Sequence, residues 1–143
     1  MPATPSNARP HKQNNAMSIK AVLLRFLLLY TVSMVAAGFL IHHFGIKPNV
    51  GVNPGILAGC VFWVCYEFVK RNGRTFSNRE KRTVVLGLAA INIALQFLFA
   101  VSALSQMPIS ISATAFIFGV GFVGFFHAII IYFLVSSAKK LVI

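Results

Sequence analysis

Four long apolar stretches separated by short polar ones make up most of the chain, at about 20 to 45, 54 to 70, 83 to 105 and 111 to 138. Crossing a hydrocarbon core about 30 Å thick takes roughly 20 helical residues, and each run approaches or exceeds that length. None has the strict apolar/polar alternation of a strand, and lipid admits only helices or closed barrels as spanning backbone. The pattern predicts an all-α membrane protein, with four transmembrane helices in an antiparallel bundle. Residues 1–19 are expected to form a disordered cytoplasmic tail, and 20–143 a single transmembrane domain.

The tail is polar, proline-containing and free of periodicity, the composition of a segment that cannot bury a core. Met17 offers a second in-frame start. The apolar run that follows is longer than the roughly 7–15 residues of a signal-peptide core and lacks an A-x-A cleavage site. It reads as a retained signal-anchor helix.

Composition agrees with the pattern: 57% of residues are hydrophobic and 10% charged, against about 25% charged in soluble domains. The net charge of +11 raises the possibility of nucleic acid, but its distribution argues for topology instead. Arg9, Lys12, Lys20 and Arg25 precede or open the first span, six cations lie between Lys70 and Arg82, and Lys139 and Lys140 follow the last span. Only Lys47 falls in the opposite connections. By the positive-inside rule both termini and the central basic stretch face the cytoplasm. Anionic lipid head groups are the expected secondary partner of this surplus; no nucleic-acid partner is expected, since the motif and aromatic signals of such proteins are missing.

The basic stretch is also built as a turn. Gly73 suits a helix C-terminus, and Ser77-Asn78-Arg79-Glu80 is a capping box with Ser77 as N-cap and Glu80 at the third helical position. The third helix should therefore start about a turn before it enters lipid. Residues 68–82 resemble the signature of the ABZJ family, uncharacterised small four-span bacterial inner-membrane proteins in which a Phe ending the second span precedes a Gly-Arg pair, with Ser/Thr and then Glu opening the third. Phe68, Gly73, Arg74 and Glu80 match that motif. Ser77 fits more loosely, because the Pro-Ser/Thr common there is Phe76-Ser77. The resemblance implies a bacterial inner (cytoplasmic) membrane location and four-span topology, and carries no activity with it. Gly73 and Arg74 exceed what capping requires, so a lipid head group or a cytoplasmic partner is a further expected role for them.

Several residues within the spans need a physical reason. Arg25 lies about 7 Å below the boundary, counted at 1.5 Å per residue, and Glu67 lies near the same level of the second span. An unpaired carboxylate there is costly, so the two are expected to pair across helices, with an i, i+3 or i+4 contact to Lys70 or Arg71 as the competing arrangement. Asn53-Pro54 reads as N-cap and first residue of the second helix. Gly51, Gly55 and Gly59 form a small-residue face, and Gly124 with Ala128 forms another; such faces let a second backbone approach, from the same chain or another. Ala90 and Ala94 offer a third.

Tyr30, Asn92, Gln96 and His127 fall near the bilayer centre, His127 about 16 Å along its helix from Ala138. Intramembrane ionisable residues are candidates for solute or proton paths, and histidine titrates near neutrality. The alternative is an interhelical bond, from His127 to Asn92 or Tyr30, that fixes helix register. The second is preferred, because no carboxylate lies at the centre to couple an ion gradient.

His42 and His43 are adjacent and so point about 100° apart on a helix, with no further ligand beside them. Cys60 and Cys65 have no C-x-x-C spacing. No metal site and no cofactor is expected. There is no G-x-S-x-G, H-E-x-x-H or P-loop, so the chain is not read as an enzyme. The sequence points to a non-catalytic accessory or interaction protein with a membrane-protein partner or a second copy of itself. The alternative is a small, oligomeric transporter or channel using His127, Asn92 and Gln96.

Overall fold

The computed structural model describes residues 16–45, 52–105 and 112–138, and within them every side chain but those of Ala103 and Leu104. Four helices account for nearly all of these residues: α1 Ile19–Phe44, α2 Val52–Asn72, α3 Asn78–Leu104 and α4 Ala113–Ser137. All four are long and apolar enough to cross a membrane. This is an all-α, multi-pass membrane protein. Gly51, Lys47, the N-terminal tail and the two C-terminal lysines lie outside the described residues.

The helix ends follow local chemistry. The Ser18 hydroxyl accepts from the Ala21 N–H and the Ser112 hydroxyl from the Ala115 N–H, satisfying amides that have no intrahelical partner. Gly45 and Gly73 close α1 and α2 in the left-handed conformation, at φ +60° and +61°, which residues with a Cβ adopt only under strain. The Gly73 N–H bonds back to the Val69 carbonyl at 2.8 Å. α2 starts at Val52, one residue ahead of Asn53, so Asn53 sits within the helix rather than capping it. Pro54 falls in the first turn, where its missing N–H costs no intrahelical bond.

The helices pack around a square. α1 neighbours α2 and α3, and α4 neighbours the same two from the opposite corner. Each contributes one stripe to the centre: Val22, Phe26 and Tyr30 from α1, Val84, Leu88 and Asn92 from α3, and Gly124, His127, Ile131 and Val135 from α4. The widest stripe is on α2, from Leu57 to Val69 and including both free cysteines. Outside the square the surface is as apolar as the inside, with Phe118 75% and Leu86 71% exposed, as a lipid-facing surface requires.

Packing is strongly uneven along the bundle axis. One end holds Met17, Asn72, the basic turn and Ala138, and is closed; the Asn72 side chain bonds both the N–H and the carbonyl of Met17, at 2.8 and 3.1 Å. Toward the other end, none of residues 31–45, 52–56, 93–102 and 112–123 is buried. The core therefore fills the basic half and stops at the level of Tyr30, Asn92 and Gly124. Beyond that level the inward residues, Met34, Ile56 and Leu95 among them, are only half-buried.

Candidate functional site

Where the packed core stops, five polar side chains from four helices meet. Tyr30 and Asn92 are each 1% exposed and His127 3%, burial that polar groups tolerate only when bonded. The Tyr30 hydroxyl lies 3.0 Å from Asn92 Oδ1 and 2.7 Å from Asn53 Oδ1. Gln96 Nε2, one turn on from Asn92, donates to Asn92 Oδ1 at 3.1 Å. His127 Nδ1 faces Asn92 Nδ2 at 3.3 Å and is also in hydrogen-bond contact with Gln96 Nε2.

Proton counting sharpens this network. A hydroxyl has one hydrogen, so Tyr30 cannot donate to two amide oxygens. Asn92 Oδ1 already receives Gln96, and Asn92 Nδ2 is directed at His127, which fixes the Asn92 orientation. Asn53 is free to turn its NH2 toward Tyr30, since amide O and N are assigned from their bonding partners. Both amides at His127 turn N–H groups toward Nδ1, whose one lone pair can accept from either of them when the ring proton sits on Nε2. The result is a continuous chain of donors and acceptors from α2 through α1 and α3 to α4.

The four midplane residues expected from the sequence are thus brought together, and Asn53 joins them. Its asparagine-proline context supplies a complete local explanation as a cap, which hides the long-range contact. Asn53, Tyr30 and Gln96 also line a cavity of about 250 Å³ together with Met34, Phe99 and Gly119. All of these except the polar layer itself come from the unpacked half of the bundle. The cavity therefore reaches the polar chain from the end opposite the basic turn, with His127 behind Gln96.

The second group of residues sits at the basic end. Arg25 Nη1 and Arg71 Nε each lie 2.9 Å from the same Glu67 oxygen, Oε2. The interhelical pair and the i, i+4 pair, weighed as competitors on the sequence, coexist on one carboxylate. We expect Arg25→Glu to leave little folded protein in detergent, because it faces Glu67 with a second carboxylate. Arg25→Glu/Glu67→Arg should rescue only part of the loss, since the new arginine then lies one turn from Arg71; adding Arg71→Glu should restore the rest. Size-exclusion recovery across the three variants measures this, and full rescue by the double swap would exclude a role for Arg71.

Phe68, Arg74, Ser77 and Glu80 are in contact in the turn between α2 and α3, beside Gly73, which closes α2. Arg74 Nη1 and Nη2 grip Glu80 Oε2 and Oε1 at 2.7 and 2.8 Å, the forked geometry that suits guanidinium and carboxylate. Nη1 also donates to the Thr75 carbonyl at 3.2 Å. The Ser77 N–H donates to Glu80 Oε2 at 2.9 Å, while the Glu80 N–H donates to the Ser77 hydroxyl at 3.3 Å, closing the capping box. Phe68 stacks on Phe76 with ring centroids 4.0 Å apart, and Arg74 lies over the outer face of Phe68 at 5.5 Å. Hydrogen bonding to Glu80 raises the Arg74 guanidinium further from titration. Arg74 is accordingly engaged within the turn, and Phe76 supplies an aromatic lid for Phe68.

The small-residue faces divide. Gly124 is buried, and a Cβ built on it would lie 3.0 Å from Ile93 of α3, with Ala128 half-buried beyond it. Gly55 and Gly59 are exposed, with nothing within 4 Å of a Cβ on either, so among the described residues no helix packs on that face. Ala90 and Ala94 are exposed as well. The close approach of α1 to α3 is made instead at Gly87, where a Cβ would lie 2.6 Å from Leu23 Cδ2. Comparison of the chain with protein-family models, curated proteins and solved structures finds no match.

Proposed function

We propose that the chain is an inner-membrane protein that acts without catalysis, as an accessory or interaction protein, with its basic end and both termini in the cytoplasm. The observation that carries this reading is the unpacked half of the bundle. None of residues 31–45, 52–56, 93–102 and 112–123 is fully buried, which leaves surface for a second copy or another membrane protein, and the open Gly55/Gly59 face of α2 lets a foreign backbone approach closely. The midplane polar groups support it from the other side, because they are bonded to one another rather than arranged as a nucleophile beside a base. Cytoplasmic placement of the basic end rests on the distribution of lysine and arginine, and the bacterial inner membrane on the likeness of the 68–82 turn to the ABZJ signature. Photocrosslinking residues placed singly at Gly55 and Gly59 should give discrete protein adducts in membranes, and the same group at Leu98, on the lipid face of α3, should give only lipid adducts. Lipid adducts alone at all three positions would count against the reading.

The cavity beside Tyr30, Asn53 and Gln96 favours a second reading, a small transporter or channel. Solute flux in proteoliposomes that His127→Ala removes while the fold is retained would replace the first reading with this one.

A further inference from the structure

A second cavity, of about 510 Å³, lies at the basic end between the first turns of α3 and the last turns of α4. Asn78, Lys81 and Arg82 form its outer rim; Val85, Leu86 and Tyr132 form its deeper wall. The Lys81 ammonium stands 4.7 Å above the Tyr132 ring. The chain has only two acidic side chains, Glu67 and Glu80. Glu67 is held by Arg25 and Arg71, and Glu80 by Arg74 and the Ser77 N–H. No side-chain carboxylate is left to neutralise Lys81 and Arg82.

We propose that this cavity is a binding site for one anionic phospholipid, its phosphate between Lys81 and Arg82 and an acyl chain along Val85 and Leu86. The division of the cavity selects a lipid over a soluble anion. Its cations lie at the level where α3 leaves the capped turn, and its apolar wall begins one turn deeper, where α3 becomes continuously apolar. A phosphate ester joined to a hydrocarbon chain satisfies both halves at once, whereas a free anion leaves the lower half without a partner. Lys81 and Arg82 also differ from Arg74, whose guanidinium is occupied within the turn. The site is separate from the midplane polar chain, so it stands or falls independently of the functional reading above.

Native mass spectrometry of the full chain, released from nanodiscs containing phosphatidylglycerol and phosphatidylcholine of matched acyl chains, tests the proposal. The unaltered protein should retain one phosphatidylglycerol in preference to phosphatidylcholine. Each cation near a charged lipid surface contributes about fivefold, so Lys81→Gln/Arg82→Gln should lower that preference by more than tenfold. Lys20→Gln/Lys70→Gln, which removes the same charge elsewhere on the basic end, should leave it within about twofold. Leu86→Trp, which fills the deeper half and spares both cations, should also lower retention. Equal losses in the two charge variants would mean a diffuse surface effect and overturn the site. Undiminished retention in Leu86→Trp, or equally effective competition by glycerol phosphate, would mean an anion subsite without a lipid chain and overturn it too. Circular dichroism and size exclusion identify any variant that fails to fold, and Lys81→Gln and Arg82→Gln singly then take its place, with intermediate losses expected.

Discussion

Asn92→Leu is expected to lower the unfolding free energy in mixed micelles by about 2–3 kcal/mol, more than any other single polar substitution in the bundle. Asn92 is the branching point of the midplane chain. Its oxygen accepts from Tyr30 and Gln96, and its NH2 faces His127. Leucine has nearly the same volume, so the loss comes from orphaned partners rather than from a cavity. Individual interhelical bonds within membranes average about 0.6 kcal/mol, so the two that Asn92 makes to Tyr30 and His127 fall short of this range, and its third bond, to Gln96, lies within α3. What raises the effect is burial: with Asn92 gone, the Tyr30 hydroxyl keeps Asn53 and His127 keeps Gln96, each losing one of two partners at positions only 1% and 3% exposed. Gln96→Leu should cost less, about 1 kcal/mol, because Gln96 is half-buried and borders the cavity. Reversible unfolding by sodium dodecyl sulfate, followed by Trp63 fluorescence, measures both. An Asn92→Leu loss below that of Gln96→Leu would mean that the chain of bonds is not what holds the four helices in register at this level.

The sequence and the structure agree best where one residue type has one explanation available. The spans and the Ser77 capping box were legible because hydropathy and local hydrogen-bonding chemistry act over a few residues; α3 begins at Asn78, directly behind the Ser77 cap, and before its apolar run. The meeting of Tyr30, Asn92, Gln96 and His127 was legible for a different reason. Polar side chains in lipid must turn inward, so depth along each helix nearly determines their neighbours. Apolar and small residues carry no such instruction. Lipid is as apolar as leucine, so nothing in the sequence says whether Gly59 or Gly87 faces another helix. The same degeneracy concealed the asymmetry of the bundle: residues 112–123 are as apolar as 124–138, yet only the second stretch meets a core. Asn53 and Asn72 were concealed by their surroundings, since proline or glycine next to them supplies a local role that leaves the contact with Tyr30 or Met17 invisible.

Gly124 and Gly59 look alike in sequence, and the structure sets them apart by what a larger side chain would do. Gly124→Leu should destabilise the bundle by about 1–3 kcal/mol, the range for overpacking a filled interface. A Cβ alone already reaches 3.0 Å from Ile93 Cγ1, and the remaining carbons of leucine have to push α3 and α4 apart one turn from His127. Gly124→Ala should cost little, because Ile93 is 41% exposed and its terminal atoms can swing outward, and because replacing glycine within a helix recovers up to about 1 kcal/mol of backbone propensity. At Gly59 the same leucine meets open space, so stability of the isolated chain should be unchanged or slightly raised. If the face of α2 is where a partner backbone docks, Gly59→Leu should nevertheless abolish the crosslinks formed from Gly55 while leaving the unfolding curve in place. The two positions together therefore separate folding from association: Gly124→Leu lowers stability first and contacts only through it, whereas Gly59→Leu removes contacts from a folded bundle. Loss of stability at Gly59 equal to that at Gly124 would place an internal helix against the α2 glycines and remove the basis for a docking face there.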